Sequence, residues 1–174
     1  MNIKIEKKFF LIDAYPLIFR GYYALIKNPQ INSKGLNTST IMVFTKYIID
    51  LIQKEKPTHM AVVFDMGPSK IRKKYYPQYK SHREKTPEVI CISLPYIKAI
   101  LKAFRISIIY VDGYEADDVI GTLAKKSEKN NYTTYIVSPD KDFMQLVSNH
   151  IKIYKSLSNR NVPDILDVQR VCEY

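Results

Sequence analysis

The 174-residue sequence has no tryptophan, three histidines, five glycines and two cysteines, and it contains no long apolar run. Cys91 and Cys172 lie far apart and match no metal-binding or redox spacing. Both have apolar neighbours, so we expect buried, reduced thiols in a cytoplasmic protein. No stretch approaches the roughly 18 apolar residues that a membrane-spanning helix needs. These absences argue against disulfide bonds, a cysteine-based metal site and a membrane protein.

The start of the chain also lacks the features of a secretory signal. Asp13 interrupts its apolar run, and no small-residue cleavage site follows. At this length we expect a single domain, residues 1–174, with a substantial hydrophobic core. The cytoplasm is therefore the expected location.

Positive charge, in contrast, is abundant. The sequence has 27 Lys and Arg residues against 17 Asp and Glu residues, which gives a formal net charge of +10. A basic surface of this size predicts a polyanionic partner, either nucleic acid or an anionic membrane. A Lys-rich proteome would produce the same imbalance without such a partner, so the charge alone does not decide the function.

Short β-rich segments alternate with longer segments of helical periodicity. The predicted strands are 9–12, 60–64, 106–111, 133–137 and 151–154, and the predicted helices are 38–55, 87–104 and 115–129. This alternation predicts an α/β fold with a mainly parallel central sheet of about five strands and helices on both faces. Thr86 is the expected N-cap of the second of these helices, with Pro87 in its first turn. Pro95 either kinks that helix or begins another one.

Residues 69–88, with the sequence SKIRKKYYPQYKSHREKTPE, interrupt the alternation. The segment has no sustained apolar period, and Glu84 is the single acid among its many Lys, Arg and Tyr residues from Lys70 to Lys85. We expect it to be an exposed basic insertion after the second strand.

Carboxylates follow four of the predicted strands. They are Asp13, Asp65, Glu115, Asp117, Asp118, Asp140 and Asp142. In open parallel α/β sheets, ligands bind in the crevice beyond the carboxyl ends of the strands, so we expect these seven side chains to face one another. A single Asp in such a place is more often a turn former or an N-cap, and Asp142 could equally cap the helix that follows it. Asp112 is set aside as a turn residue.

Seven carboxylates in one crevice raise each other's pKa values unless cations lie among them. Oxygen ligands without histidine or cysteine nearby suit Mg²⁺ or Mn²⁺ rather than zinc. Their number predicts two ions, and a pair about 3.5–4 Å apart is the usual arrangement for cutting phosphodiesters. Outside the crevice, ten acids remain against 27 bases. The sequence therefore predicts an acidic, metal-binding pocket inside a basic shell that holds phosphates.

With these residues in place, the sequence resembles the 5′→3′ exonuclease (flap endonuclease) domain that opens bacterial DNA polymerase I. The similarity extends from Phe9 to the end of the chain, through the motifs LIDAYPLIFRGYYAL, VVFD, YPQYKSHR, VDGYEADDVIGTLAKK and SPDKDFMQL. The resemblance implies a PIN-like 5′-nuclease fold in which the insertion 69–88 forms a helical arch. It also implies metal-dependent hydrolysis of DNA phosphodiesters in replication and repair, including removal of RNA primers and flaps.

The family pattern implies roles for individual residues. A first metal ion is expected among Asp13, Asp65, Glu115 and Asp117, with Asp118 nearby, and a second ion beside Asp140 and Asp142. Arg20, Lys80 and Arg83 match basic residues that approach the scissile phosphate and stabilise its charge. DNA contacts are expected from Arg72, Lys73, Lys74, Tyr79 and Tyr22. The tyrosines Tyr75, Tyr76 and Tyr79 either stack on an unpaired base or pack the base of the arch.

The spacing within GYEADD refines the expected ligand set. Glu115 and Asp118 lie three residues apart, on one face of the predicted helix, whereas Asp117 is about 100° around from its neighbour. We therefore expect Glu115 and Asp117 to be the closer ligands, with Asp118 acting through water or toward the second ion.

In the family, a helix–hairpin–helix region with two further aspartates follows the segment that ends this sequence. We therefore expect this chain to be weakened or inactive, because the second ion would lose ligands and duplex DNA would be held less firmly. The resemblance further implies a fused polymerase domain, a monomer, no membrane binding, and DNA with 5′ ends or flaps or RNA primer–DNA junctions as partners.

Three other functions fit parts of the pattern. A PIN-type ribonuclease uses a similar crevice, although seven acids and the long basic insertion argue against it. A non-catalytic nucleic-acid-binding module would not need a complete metal site. A phosphoacceptor signalling domain also places Asp at strand ends, but it needs fewer acids and no basic insertion.

Overall fold

The computed structural model describes residues 6–155 and 163–173, and one six-stranded sheet organises them. Its strands are β1 (Lys8–Asp13), β2 (His59–Val63), β3 (Ser107–Ile109), β4 (Thr133–Val137), β5 (Ile151–Lys155) and β6 (Asp164–Leu166). The spatial order is β3-β2-β1-β4-β5-β6. The first five strands are parallel, and β6 pairs antiparallel with β5. The predicted, mainly parallel sheet is confirmed, with one additional edge strand.

Helices cover both faces of this sheet, as predicted. They are α1 (Ala14–Ala24), α2 (Ser39–Glu55), α3 (Lys70–Tyr75), α4 (Glu88–Ala103), α5 (Ala116–Lys129) and α6 (Val168–Cys172), with a 3₁₀ helix at Lys141–Leu146. Alternate residues of β1 point to opposite faces, as the period of a strand requires. Phe10 and Ile12 pack in one core with α1, α2 and α4, whereas Leu11 packs in a second core with α5.

The connections create a reversal of strand order beside β1. From β1 the chain proceeds to β2 and β3 on one side, and it then returns to place β4 on the other side. Ile12 pairs with Val137, and Asp13 pairs with Val63, so the carboxyl ends of three strands lie together. A crevice at such a switch point is where open α/β sheets bind their ligands.

Several details differ from the sequence predictions. Pro87, and not Thr86, is the N-cap of α4, and Pro95 lies inside that helix instead of beginning another one. Strand β3 has three residues where six were predicted. In the described residues, no helix has the length and apolar character required to cross a membrane.

The prediction of buried cysteines is wrong, because Cys91 and Cys172 are both exposed. The buried positions of α4 include Ile90 and Ile97. Cys91 follows Ile90 directly, so it is rotated by about 100° out of that buried face. Cys172 ends α6, a short helix in which no residue is buried.

Candidate metal and nucleic-acid site

Asp13 is the last residue of the central strand β1, and it faces other carboxylates across the crevice. Its Oδ2 accepts a hydrogen bond of 3.1 Å from Ser138 Oγ. The pKa of Asp13 is raised to about 7, mainly by burial, against the lowering effect of Ser138. The negative charges of Asp65, Asp140 and Asp117 raise it further. Three of the other predicted carboxylates therefore lie close enough to act on Asp13 at the switch point.

Asp65 connects the end of β2 to the start of α5. Its Oδ1 accepts a hydrogen bond from the backbone N–H of Ala116, the first residue of α5. Asp117 is the residue after Ala116, and it is exposed. Its Oδ1 accepts a 2.7 Å hydrogen bond from the N–H of Asp118. Burial, with the charges of Asp118 and Glu115, raises the pKa of Asp117 above its ordinary value. Both carboxylates thus depend on the beginning of α5 for their position.

Asp140 and Asp142 lie beyond the end of β4, and both are exposed. Asp140 caps the 3₁₀ helix, because its Oδ1 accepts a 2.9 Å hydrogen bond from the N–H of Asp142. The N–H of Asp140 donates in turn to Ser138 Oγ at 3.2 Å. The alternative that Asp142 is the N-cap is therefore wrong, and Asp140 has that role.

Glu115 differs from the other acids because it is almost completely buried, with 3 % of its surface exposed. Its Oε2 accepts hydrogen bonds from Lys80 at 2.7 Å, Arg72 at 3.0 Å and Tyr79 at 3.1 Å, and its Oε1 accepts one from the N–H of Ser69. Burial raises the pKa of Glu115, but the hydrogen bonds from Lys80, Ser69 and Tyr79 outweigh it and hold the pKa below its ordinary value. Both oxygens of the ionised Glu115 carboxylate therefore accept hydrogen bonds from the insertion.

Asp118 shares a basic partner with Glu115. The guanidinium of Arg72 binds both oxygens of Asp118, at 2.9 and 2.8 Å, and also contacts Glu115. At the start of α5, Asp118 Oδ2 accepts a hydrogen bond of 3.2 Å from the backbone N–H of Glu115, the N-cap residue. The two acids therefore lie on one helical face, as their spacing predicts. Asp117 stands apart, 3.9 Å from Arg72.

The basic insertion packs against this helix start through one part of its length. Tyr79 has Lys80 Nζ 5.1 Å and the Arg72 guanidinium 5.9 Å from its ring centre, so it supports both cations. Lys80 has a φ of 57°, a left-handed conformation that is costly outside glycine. The sequence left two roles open for Tyr79, stacking on an unpaired base or packing at the base of the arch. Its contacts with Lys80 and Arg72 favour packing.

The other residues predicted to contact the phosphate or the DNA lie on the basic insertion and on α1. Lys73, Lys74 and Arg83 are exposed on the insertion, where each can reach a phosphate backbone. Tyr22 lies on α1 and packs against the first core and the ring of Tyr23. Tyr22 is half-buried, and its contact with DNA stays a prediction.

Arg20, the remaining predicted cation, lies on the other side of Asp13. Its guanidinium lies 5.8 Å from the ring centre of Tyr47 on α2. Both residues line a pocket that has Asp13 and Ser138 in its wall. Arg20 therefore borders the carboxylate crevice from the α1–α2 face, opposite Arg72 and Lys80.

The donor set fits a hard divalent cation in its chemistry. Asp13, Asp65, Asp117 and Asp140 present oxygen atoms, and their mutual repulsion is what a bound cation would relieve. In residues 6–155 and 163–173, no three Asp, Glu, His or Cys side chains are already arranged closely enough to hold an ion. Glu115 and Asp118 are bound to Arg72 and Lys80 instead. The negative charges of these two acids are therefore already balanced by cations of the insertion.

Two serines contribute to the site and escaped the sequence analysis. Ser138, 4 % exposed, joins Asp13 to Asp140 through its hydroxyl. Ser69, 2 % exposed, caps α3 and donates its N–H to Glu115. Ser138 directly follows β4, whose carboxyl end was predicted to border the crevice. Its place in the sequence could therefore have identified it as a site residue. The contact of Ser69 spans 46 residues and left no signal in the sequence.

Known proteins are similar to this chain over most of its length. Residues 8–174 match the family model described as the 5′-3′ exonuclease, N-terminal resolvase-like domain. DNA polymerase I of Borreliella burgdorferi is 39 % identical over 153 residues, which are 88 % of this chain and 17 % of that protein. The 5′-3′ exonuclease of Aquifex aeolicus is 37 % identical over 153 residues, 88 % of this chain and 52 % of that protein.

A solved structure shares the fold. It is a complex of the bacteriophage T5 D15 flap endonuclease with DNA and metal ions, with a TM-score of 0.67 and 17 % identity over 95 % of this chain and 60 % of that one. The chain thus spans less than a fifth of the polymerase relative and about half of the exonuclease relative.

Proposed function

The chain belongs to the family of 5′-3′ exonuclease N-terminal, resolvase-like domains, and on that premise we propose that it is the core of a divalent-metal-dependent 5′-nuclease. Its reaction is the hydrolysis of DNA phosphodiester bonds at 5′ ends or 5′ flaps. The observation that carries the proposal is the convergence of Asp13, Asp65, Asp117 and Asp140 at the switch point of the sheet, where their negative charges act on Asp13.

Mg²⁺ or Mn²⁺, two ions in the complete site, would supply an activated water and neutralise the charge of the leaving oxygen. Asp13, Asp65, Asp117 and Asp140 would hold the first ion, and Asp140 with Asp142 the second. Glu115 and Asp118 are held by Arg72 and Lys80 in this structure, and they would join the ligand set only where these cations release them.

The basic residues bind and orient the substrate. Lys80 and Arg72 lie beside the carboxylates, so the scissile phosphate meets positive charge on the insertion side. Arg20 supplies positive charge on the opposite side, and the exposed Arg83 extends the basic surface. Fixed cations around the developing charge stabilise the transition state more than the ground state.

The relatives support finer proposals. The B. burgdorferi relative is a DNA polymerase I, the A. aeolicus relative a 5′-3′ exonuclease, and the T5 neighbour was crystallised with DNA and metal ions. We therefore propose that residues 1–174 are one domain of a monomeric protein with a fused polymerase, acting in the cytoplasm. Its substrates are DNA with 5′ ends or flaps and RNA primer–DNA junctions.

Cleavage of labelled substrates tests this function. A duplex with a 5′ flap is incubated with the 174-residue chain and with a longer version joined to the part of the A. aeolicus exonuclease that this chain does not span. Mg²⁺-dependent release of the flap, with a 3′-hydroxyl on the released fragment and inhibition by EDTA, is the expected result.

Two other results would redirect the proposal. Faster cutting of single-stranded RNA than of flap DNA would favour a PIN-type ribonuclease. Binding of flap DNA without cutting by either version, in Mg²⁺ and in Mn²⁺, would favour a non-catalytic nucleic-acid-binding module.

A further inference from the structure

A second feature of the switch point is a pocket of about 340 Å³ that opens beside Asp13. It lies on the α1–α2 face of the sheet, on the side of Asp13 away from the basic insertion. One wall is the first two turns of α1, where Pro16, Leu17 and Arg20 share a face. The volume is at the low end of the range for small-ligand sites, roughly 300–1,000 Å³, so it fits one small ligand.

The position of the pocket favours ligand binding. Its opposite wall is Val137, Ser138 and Pro139, at the carboxyl end of β4. Strands β1 and β4 are the neighbours between which the strand order reverses. The pocket and the carboxylate crevice therefore share the switch point, and Asp13 and Ser138 belong to both.

The walls are apolar and firmly held. Tyr154 is 4 % exposed, and its hydroxyl donates a 2.9 Å hydrogen bond to Glu55. Its ring packs edge-to-face on Phe10, with centres 5.5 Å apart. With Leu17 and Val137 it gives the pocket a preformed apolar surface, of the kind that receives a planar base or a sugar.

Positive charge borders the same pocket. Arg20 and Lys155 both line it, from α1 and from the end of β5. Phosphate groups are the ligands that such a cation pair recognises best. An apolar cavity with two cations, adjoining carboxylates suited to phosphodiester hydrolysis, matches the chemistry of a single nucleotide.

We propose that this pocket binds one nucleoside 5′-monophosphate unit of the substrate, with the base and sugar against Leu17, Val137 and Tyr154 and the phosphate near Arg20 and Lys155. The proposal rests on the proposed function for the identity of the substrate. The pocket would fix the nucleotide next to the scissile bond and place its phosphate at the edge of the crevice beside Asp13.

Binding of a free mononucleotide tests the proposal without any cleavage. The 174-residue chain, labelled at its methyl groups, is titrated in EDTA with deoxythymidine 5′-monophosphate and, separately, with thymidine and inorganic phosphate. The mononucleotide is expected to shift the methyl signals of Leu17 and Val137 saturably, and to bind at least about tenfold more tightly than either fragment, since each contributes part of the contact.

Two variants locate the binding. Lys155→Ala should weaken mononucleotide binding about tenfold, since a hydrogen bond to a charged group is lost. Lys152→Ala, on the same strand but outside the pocket, should leave it unchanged. Pro16→Phe should block the cavity and abolish mononucleotide binding. If that variant does not fold, the methyl shifts of the wild type and the affinity of Lys155→Ala still show whether the mononucleotide binds in this pocket.

Other outcomes overturn the proposal. Equal affinity for inorganic phosphate would mean a simple anion site, and equal affinity for thymidine would exclude a role for the cations. Shifts at Leu123 in place of Leu17 would place binding in the separate pocket near Lys7, His59 and Tyr132. Flap cutting without mononucleotide binding refutes this proposal alone, whereas mononucleotide binding without flap cutting by the longer version, in Mg²⁺ and in Mn²⁺, refutes the proposed function alone.

Discussion

Arg72 holds Asp118 with two parallel hydrogen bonds, 2.9 Å from Nη1 to Oδ2 and 2.8 Å from Nη2 to Oδ1. A residue of the basic insertion is thereby fixed to a helix 46 positions further along the chain. The same guanidinium reaches Glu115 at 3.0 Å. Without a metal ion, the insertion itself therefore balances the charge at the start of α5.

Removal of this guanidinium should destabilise the metal-free protein. We expect Arg72→Ala to lower the free energy of unfolding in EDTA by about 1–2 kcal/mol, since the bidentate pair is lost but is partly exposed to solvent. Saturating Mg²⁺ should reduce the difference, because the cation takes over the balancing of Asp118 and Glu115. Chemical denaturation measures both values.

Lys73→Ala is the matched control, since Lys73 lies on the same helix and is exposed. It should change the stability by less than about 0.5 kcal/mol. Equal stability of Arg72→Ala and the wild type in EDTA would mean that Arg72 and Asp118 do not pair in solution.

Asp13 should make the stability of the metal-free protein depend on pH. Its pKa is raised from 3.8 to about 7 in the folded chain, so the folded state binds a proton more strongly than the unfolded state does. Its contribution is then fully present below pH 3.8 and is lost as the pH rises through 7. The full loss is at most on the order of 4 kcal/mol.

Urea denaturation in EDTA at several pH values measures this effect. Asp13→Asn cannot ionise, so the difference in stability between the variant and the wild type should grow in favour of the variant from pH 4 to pH 7. Parallel pH profiles of the two proteins would show that the Asp13 carboxyl is not in the environment described.

Ser138 should position two metal ligands without binding the metal itself. Ser138→Ala removes the hydroxyl that contacts Asp13 and Asp140, and outer hydrogen bonds of this kind typically change metal affinity by about 10–100-fold. Ser138→Thr keeps the hydroxyl and should restore most of the affinity. Isothermal titration with Mn²⁺ compares the three proteins, and equal weakening in both variants would point to a packing role instead.

Lys80 should affect the rate of cleavage more than the affinity for DNA. We expect Lys80→Ala to lower the single-turnover rate on flap DNA by about 10²–10³-fold, the usual cost of one preorganised donor to developing charge. Lys102→Ala, at the end of α4, is the matched control and should cleave at the wild-type rate. A Lys80→Ala variant with normal rate and weakened binding would assign Lys80 to the basic surface alone.

Local sequence patterns predicted most helices and strands well, because the conformation of each segment depends strongly on residues that are near in the sequence. The helix 38–55 is observed as Ser39–Glu55, and its apolar period places Phe44 and Ile48 in the core. Strand β6, with three residues, is too short to show a pattern, and it depends on pairing with β5. The exposure of Cys91 follows from the helical phase of Ile90, which an apolar neighbourhood alone does not reveal.

Within the site, the sequence predicted which acids lie at strand ends but not what partners they have. Asp13 and Asp140 lie close together because they follow the carboxyl ends of β1 and β4, which are neighbours in the sheet. The burial of Glu115 by Lys80 and Arg72 depends on how the insertion folds back across 35 to 43 residues. That path has no periodic signal, because side-chain contacts across a turn-rich segment fix it.

The central claim is that the carboxylates at the switch point drive phosphodiester hydrolysis through a divalent cation. The most direct measurement compares the Mg²⁺-dependent rate of flap cleavage in Asp13→Asn and Asp112→Asn, in the longer version of the chain. Asp112 is an exposed neighbour, with 74 % of its side chain accessible, and it pairs with Lys70 outside the crevice. Asp13→Asn is expected to lower the rate by at least about 10³-fold, whereas Asp112→Asn should cleave normally. Equal rates in the two variants would show that these carboxylates do not act through a divalent cation.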